Sequence, residues 1–385
     1  MHNWSRRYPA ITSLLSISCF LSVALMMGGC GTLQTSMPNE PDSAFSTPPT
    51  FQDQTPLATP PRGPSGPVSA QGHGWIMSGR MAFDTSGDLY IIMGTAVWKI
   101  APSGTTSTIA GQTEPGEPIP GRASLSPLGY ADGVAVDQSG NLYISDSDVV
   151  EKVTPDGTLS LFVDASQSLE NIQGIDTDTA GNLYITPDNR VVRIAPDGTQ
   201  DTMVGGGATG TPIPGPVQSS PLNAISDVLV APDGSFFLSV FGNQQWSSNG
   251  YTGNSGGGWI VHVDTTGDLS IVAGNGLYGI PAPGLAPSSP FGQPGQLAMD
   301  DAGDLYIADA LSSVVVKVTP GGQLSIIAGS GTQGHPIDGP ATQSPLGNPE
   351  GLAMDGAGNL YISDNAFGTL VRVTPDGMLN SVFTG

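Results

Sequence analysis

From residue 79 onward, short apolar stretches of four to six residues alternate with polar turn signals. In the clearest stretch the apolar segments are 133–136, 142–145, 149–154 and 159–163. The first two are joined by Asp-Gln-Ser-Gly-Asn and the last two by Pro-Asp-Gly, both tight-turn chemistry in which Gly supplies a positive φ. The pattern predicts a meander of four short antiparallel strands. It recurs: Asp-x-x-Gly-Asn-Leu-Tyr-Ile stands at 137–144, 178–185 and 355–362, with close variants at 84–91 and 300–307 and a degenerate copy at 231–238. Its aromatic position holds Tyr90, Tyr143, Tyr184, Phe237, Tyr306 and Tyr361. Six such units predict an all-β, six-bladed β-propeller of four-stranded antiparallel blades that bury their faces against one another.

Composition agrees. The 385 residues include 54 Gly and 34 Pro, which argues against a helical bundle, while 38% hydrophobic residues suffice for a sizeable core. The formal charge of −22 opposes binding to nucleic acid or to anionic lipid. Much of the acidity lies in the turns, where Asp side chains bond nearby backbone amides.

The wording of the units, Gly-Val-Ala-Val-Asp-Gln-Ser-Gly-Asn-Leu-Tyr-Ile-Ser-Asp at 133–146 and then Val-Thr-Pro-Asp-Gly at 153–157, resembles the NHL repeat. The resemblance covers roughly residues 79–385. It implies a propeller domain, taken here as 71–385, that most often serves as a non-catalytic binding or scaffolding module.

Ahead of the repeats, Arg6 and Arg7 precede an uncharged apolar run at 11–27, too short for a comfortable membrane span and typical of a signal peptide, 1–29. The run ends in Met27-Gly28-Gly29-Cys30, which resembles the lipobox of bacterial lipoproteins and implies lipidation of Cys30. The other cysteine, Cys19, lies inside the leader, so the mature chain forms no internal disulfide. Residues 30–70 are rich in Pro, Ser and Thr and predict a disordered, semi-extended linker. The expected location is the cell envelope, anchored on the extracytoplasmic side by lipid alone. Gly31 after Cys30 favours the outer membrane in a Gram-negative host.

Repeated cations keep register in the third strands: Lys99, Lys152, Arg193, His262, Lys317 and Arg372. Local carboxylates are their expected partners, with Asp146, Asp309 and Asp364 as candidates. In a meander, the loops between strands one and two and between three and four share one face. The remaining connections share the other. On that second face the inter-blade segments 110–128, 204–222, 273–291 and 328–346 are copies of each other. Each carries Gly at positions equivalent to Gly111, Gly116 and Gly121, and each ends in Ser-Pro-Leu or Ser-Pro-Phe. They are expected to form a recognition rim there, or else simply to cover the core. A further insertion, 241–258, sets Trp246 and Tyr251 among Gly, Ser and Asn, a composition that suits an adaptable binding loop.

The mouth of the central channel, where the first strands begin, is expected to hold Arg80, Asp132, Gln173, Asp227, Gln296 and Glu350 as ligand-binding residues. Asp132, Asp227 and Glu350 can offer oxygen ligands to Ca²⁺ or Mg²⁺; no other cofactor is expected. Histidine is scarce, with four in the chain, and no G-x-S-x-G elbow or P-loop occurs. The leading expectation is a monomeric binding module for an envelope protein, peptide or glycan. The alternatives are a metal-dependent hydrolase or lactonase of the SMP-30/gluconolactonase type, a streptogramin-lyase-like enzyme, or a mainly structural envelope protein.

Overall fold

The computed structural model describes Gly63 and residues 77–383, apart from short gaps at 147, 165–170, 206, 243–244, 249–250 and 255–256. The expected leader, Cys30 and all of the linker except Gly63 lie outside the described residues. The described chain is all-β, a six-bladed propeller. The innermost strands of the blades are Met77–Phe83, Ala131–Val136, Ile172–Thr177, Ile225–Val230, Pro294–Met299 and Pro349–Met354. Successive inner strands pack side by side, and the last packs on the first, which closes the ring. The second, third and fourth strands of each blade follow outward in chain order.

Six apolar clusters, one between each pair of adjacent blades, form the core. Between blades one and two, for example, Ile92, Val97, Val134, Ile144 and Leu159 meet. Second strands such as Leu89–Met93 and Leu142–Asp146 bury every residue, because a neighbouring blade covers each face. That is why they read as continuous apolar runs in the sequence. Burial of each large aliphatic side chain contributes about 1.5–3 kcal/mol.

The repeated motif has a local mechanism. Asp137 Oδ1 accepts the N–H groups of Ser139 and Asn141 at 2.9 and 2.8 Å, and its Oδ2 accepts Asn141 Nδ2 at 2.7 Å and the Tyr143 hydroxyl at 3.2 Å. One carboxylate thus sets the turn and ties it to the second strand. Asp84, Asp178 and Asp300 receive Tyr90, Tyr184 and Tyr306 in the same way. The aromatic position also lies directly opposite the repeated cation: Tyr90 faces Lys99, Tyr143 faces Lys152, Tyr184 faces Arg193, Phe237 faces His262, Tyr306 faces Lys317 and Tyr361 faces Arg372. Lys99, Lys152 and Lys317 hold their ammonium groups 5.6, 5.3 and 5.9 Å from the ring centroids, within cation–π range.

The expected carboxylate partners of these cations require correction. Lys99 pairs with Asp88, Lys317 with Asp304, and Arg193 with Asp201 at 2.7 Å. Asp146, Asp309 and Asp364 instead each accept two backbone N–H groups from the connection that enters their own blade, those of Gly129 and Tyr130, Gly292 and Gln293, and Gly347 and Asn348. The reason is reach. Asp146 lies opposite Val149, three residues from Lys152 along the strand, or about 10 Å.

The four copied connections are also not free rim loops. Each contributes a two-residue strand, Gly121–Arg122, Gly215–Pro216, Gly284–Leu285 or Gly339–Pro340, to the outer edge of the next blade. A single 3₁₀ turn follows. Its first N–H, from Ala123, Val217, Ala286 or Ala341, bonds the Gly157, Gly267, Gly322 or Gly377 carbonyl at 2.9 Å in the turn between that blade's third and fourth strands. Those turns lie on the opposite face, so the connections run down the outer wall instead of gathering at one rim. A serine fixes each bend: Ser126, Ser220, Ser289 and Ser344 accept the N–H groups of Ile119, Ile213, Ala282 and Ile337 at 2.7–3.0 Å.

Candidate functional site at the channel mouth

Every inner strand begins with a break in register. The breaks fall between Met77 and Met81, Ala131 and Gly133, Ile172 and Ile175, Ile225 and Asp227, Pro294 and Leu297, and Pro349 and Gly351. Such bulges interrupt the alternation of side chains and re-aim them. Here they sort the residues at the mouth into two levels. Gly79, Asp132, Gln173, Ser226, Gly295 and Glu350 occupy equivalent positions at the outer level. Arg80, Gly133, Gly174, Asp227, Gln296 and Gly351 occupy the next position inward.

The inner level is a closed floor. Arg80 of blade one crosses to blade four, where its guanidinium pairs with the Asp227 carboxylate and donates to the Ser226 carbonyl. Asp227 Oδ2 also accepts the Leu297 N–H of blade five at 2.7 Å. Burial raises the Asp227 pKa to about 6, against the pull of Arg80 and these hydrogen bonds. Gln296 Oε1 accepts the N–H groups of Met81 at 3.2 Å and Leu352 at 2.9 Å, and Nε2 donates to the Met81 carbonyl at 3.1 Å. Arg80, Asp227 and Gln296 are all buried. The other three blades have glycine at this position because their inner strands approach too closely for a side chain. A Cβ on Gly351 would fall 1.5 Å from the Gly79 carbonyl oxygen, and one on Gly174 would fall 2.8 Å from the Asp227 Cα.

Above the floor lies an acceptor-rich shelf. Asp132 is exposed, and Gln173 and Glu350 are half-buried. Glu350 accepts the side-chain amide of Asn365. Desolvation raises the pKa of both carboxyls and Arg80 opposes it; Asp132 adds to the rise at Glu350, and Asp146 adds to the rise at Asp132. Asp132 keeps solvent contact, so the effect on it is that of a crowded mouth and not of full enclosure. With the Arg80 charge spent on Asp227, the shelf offers carboxylate and amide oxygens to hydrogen-bond donors or cations and repels anions.

Of the expected ligand-binding residues, the structure places Asp132, Gln173 and Glu350 on the shelf and Arg80, Asp227 and Gln296 beneath it. The expected metal set of Asp132, Asp227 and Glu350 is not assembled. Asp227 sits one position deeper with its oxygens committed to Arg80 and Leu297 N–H, and no group of three or more His, Cys, Asp or Glu able to hold a metal occurs among the described residues. Trp246 and Tyr251 belong to a hairpin on the same face, Gln245–Ser248 paired with Tyr251–Asn254. Their side chains lie outside the described residues. The hairpin base is held where the Gly257 N–H meets the Phe291 and Gly292 carbonyls at 3.0 and 2.8 Å. Asn365 and Ser226 were not foreseen. The split between floor and shelf did have a sequence signal: in the aligned copies, Arg80, Asp227 and Gln296 share a column with Gly133, Gly174 and Gly351.

No protein-family model and no curated protein matches this chain. Solved structures do. An auxiliary nutrient binding protein from Bacteroides thetaiotaomicron VPI-5482 is 18% identical, with 80% of this chain and 69% of that chain covered and a TM-score of 0.55. A structural genomics protein of unknown function from the same organism is 15% identical over 83% of this chain and 72% of that one, with a TM-score of 0.58. A streptogramin B lyase is 14% identical over 83% and 86%, with a TM-score of 0.49. For the two Bacteroides proteins, at these identities, the likeness is one of fold.

Proposed function

We propose that this chain is a non-catalytic binding module, an NHL-type propeller tethered to the extracytoplasmic side of a cell envelope through lipidated Cys30. Its ligand is donor-rich, a glycan in the first instance, held at the channel mouth by Asp132, Gln173 and Glu350. The observation that carries this is the shelf itself: oxygens turned outward by bulges above a floor whose charges are already satisfied. Sugar hydroxyls suit such a surface, because each donates a hydrogen bond to a partly desolvated carboxylate, and bonds of that kind are stronger than neutral ones. That one structural neighbour is named a nutrient binding protein is consistent with the proposal. A hydrolytic reading would need a cation beside Glu350, where Asn365 already donates to the carboxylate.

The test is calorimetric titration of the full chain with neutral oligosaccharides, compared with Asp132→Asn/Glu350→Gln. Loss of affinity of tenfold or more in the double variant, with no requirement for added Ca²⁺, is the expected result. Binding that survives the double variant would move the site elsewhere, and binding that appears only with Ca²⁺ would favour the hydrolase-like alternative.

A further inference from the structure

The ring has a seam. Blades one and six are each built from their own consecutive strands, and among the described residues no strand is exchanged between them. At the mouth the seam is tight, with Ser363 Oγ donating to the Gly79 carbonyl at 2.7 Å. At the opposite face Phe83 and Tyr361 meet edge to face across it, with ring centroids 5.2 Å apart. Gly63, far upstream in the chain, is buried at that spot. Its N–H donates to Asp355 Oδ2 at 2.9 Å. A Cβ there would come within 2.8 Å of the Phe83 ring and 2.9 Å of the Tyr361 hydroxyl, so any side chain at this position would force those rings to shift.

We propose that Gly63 is a strap point: it docks between the first and last blades against Phe83, Tyr361 and Asp355, and it pins the seam of the closed ring in place of an exchanged strand. Asp355 begins the turn after Pro349–Met354, at the far end of that strand from Glu350, about 16 Å away. Gly63 therefore docks at the tight-turn face, opposite the shelf. The propeller's contacts thus begin before the expected boundary at residue 71.

The experiment uses the full chain and three readouts. Gly63→Leu lowers Tm by about 2–6 °C, the size expected when one or two contacts of this kind are lost from a domain this large. Gly207→Leu, at an exposed position with open space around it, leaves Tm unchanged. Gly63→Leu combined with Asp355→Asn is less than additive, whereas its combination with Asp137→Asn, in the equivalent turn of blade two, is additive. The Gly63 amide exchanges with solvent at least a hundredfold more slowly than an unstructured glycine amide. Equal melting points for Gly63→Leu and Gly207→Leu would overturn the strap, as would additivity with Asp355→Asn or a fast-exchanging Gly63 amide. None of these readouts involves ligand binding, so a failure here is distinguishable from a failure of the shelf.

Discussion

At the scale of single residues, Glu151 stands out. It lies in the third strand of blade two, where blades three to six have Val192, Val261, Val316 and Val371. It is buried, and neither carboxylate oxygen has a hydrogen-bond partner. Burial first, and then the nearby Asp146, push its pKa up to about 8. Because the folded pKa is above the unfolded one, the folded state holds the proton more tightly. Stability from this group is therefore fully present below about pH 4.5 and is lost progressively as pH rises to about 8. Glu151→Val is expected to stabilise the protein by roughly 1–3 kcal/mol near neutral pH, the usual cost of an unsatisfied buried polar group. It should also flatten this part of the pH dependence; urea denaturation at pH 5 and pH 8.5 measures both. The floor behaves in the opposite sense. Arg80→Met leaves Asp227 buried without its cation and is expected to cost about 3–5 kcal/mol. Adding Asp227→Asn should recover part of that loss, and the same denaturation series would refute the pairing if it did not.

At the scale of elements, the connections along the outer wall repeat one design. Gly329, with φ near +87°, has the Ser313 carbonyl oxygen 2.2 Å from where a Cβ would sit, and its N–H bonds the Ala341 carbonyl at 3.0 Å. Gly329→Ala is expected to cost more than 1 kcal/mol through left-handed strain and this collision, and Ser344→Ala about 1 kcal/mol through loss of the Ile337 N–H acceptor. Thermal denaturation of both variants checks the order. The strands themselves were readable in advance, because fully covered second strands leave apolar runs and Asp-x-x-Gly turns leave a spaced signature. What could not be read follows from weaker signals. A two-residue edge strand such as Gly339–Pro340 has no room for alternation. A one-residue bulge leaves no mark in composition, so Arg80 and Asp132 are told apart only by the glycines that share the Arg80 column in the aligned copies. A single glycine in a Pro- and Ser-rich linker looks like any other, although Gly63 is buried in the seam.

At the scale of the molecule, charge and burial act together. The chain carries −22, and burial raises the pKa of several of its carboxyls: Asp132 on the exposed shelf, and Asp146, Asp309 and Glu350, by direction, Asp227 to about 6, Asp176 to about 7 and Glu151 to about 8. The opposite shift falls on exposed turn residues such as Asp156 and Asp197, whose hydrogen bonds hold the ionised form. Exposed shifts of that kind are screened by solvent, so the buried groups dominate the balance. Summed over the molecule, the folded state binds more protons than the unfolded chain between about pH 4 and pH 8, and stability falls as pH rises through that window. Self-repulsion among the many carboxylates works in the same direction and is weakened by salt. The melting temperature is therefore expected to be higher at pH 5.5 than at pH 8.5, with the gap narrowing but not closing in high salt, since only the repulsive part is screened. A melting temperature that rose with pH would mean that the interior carboxylates are better paired than Glu151 and Asp176 indicate.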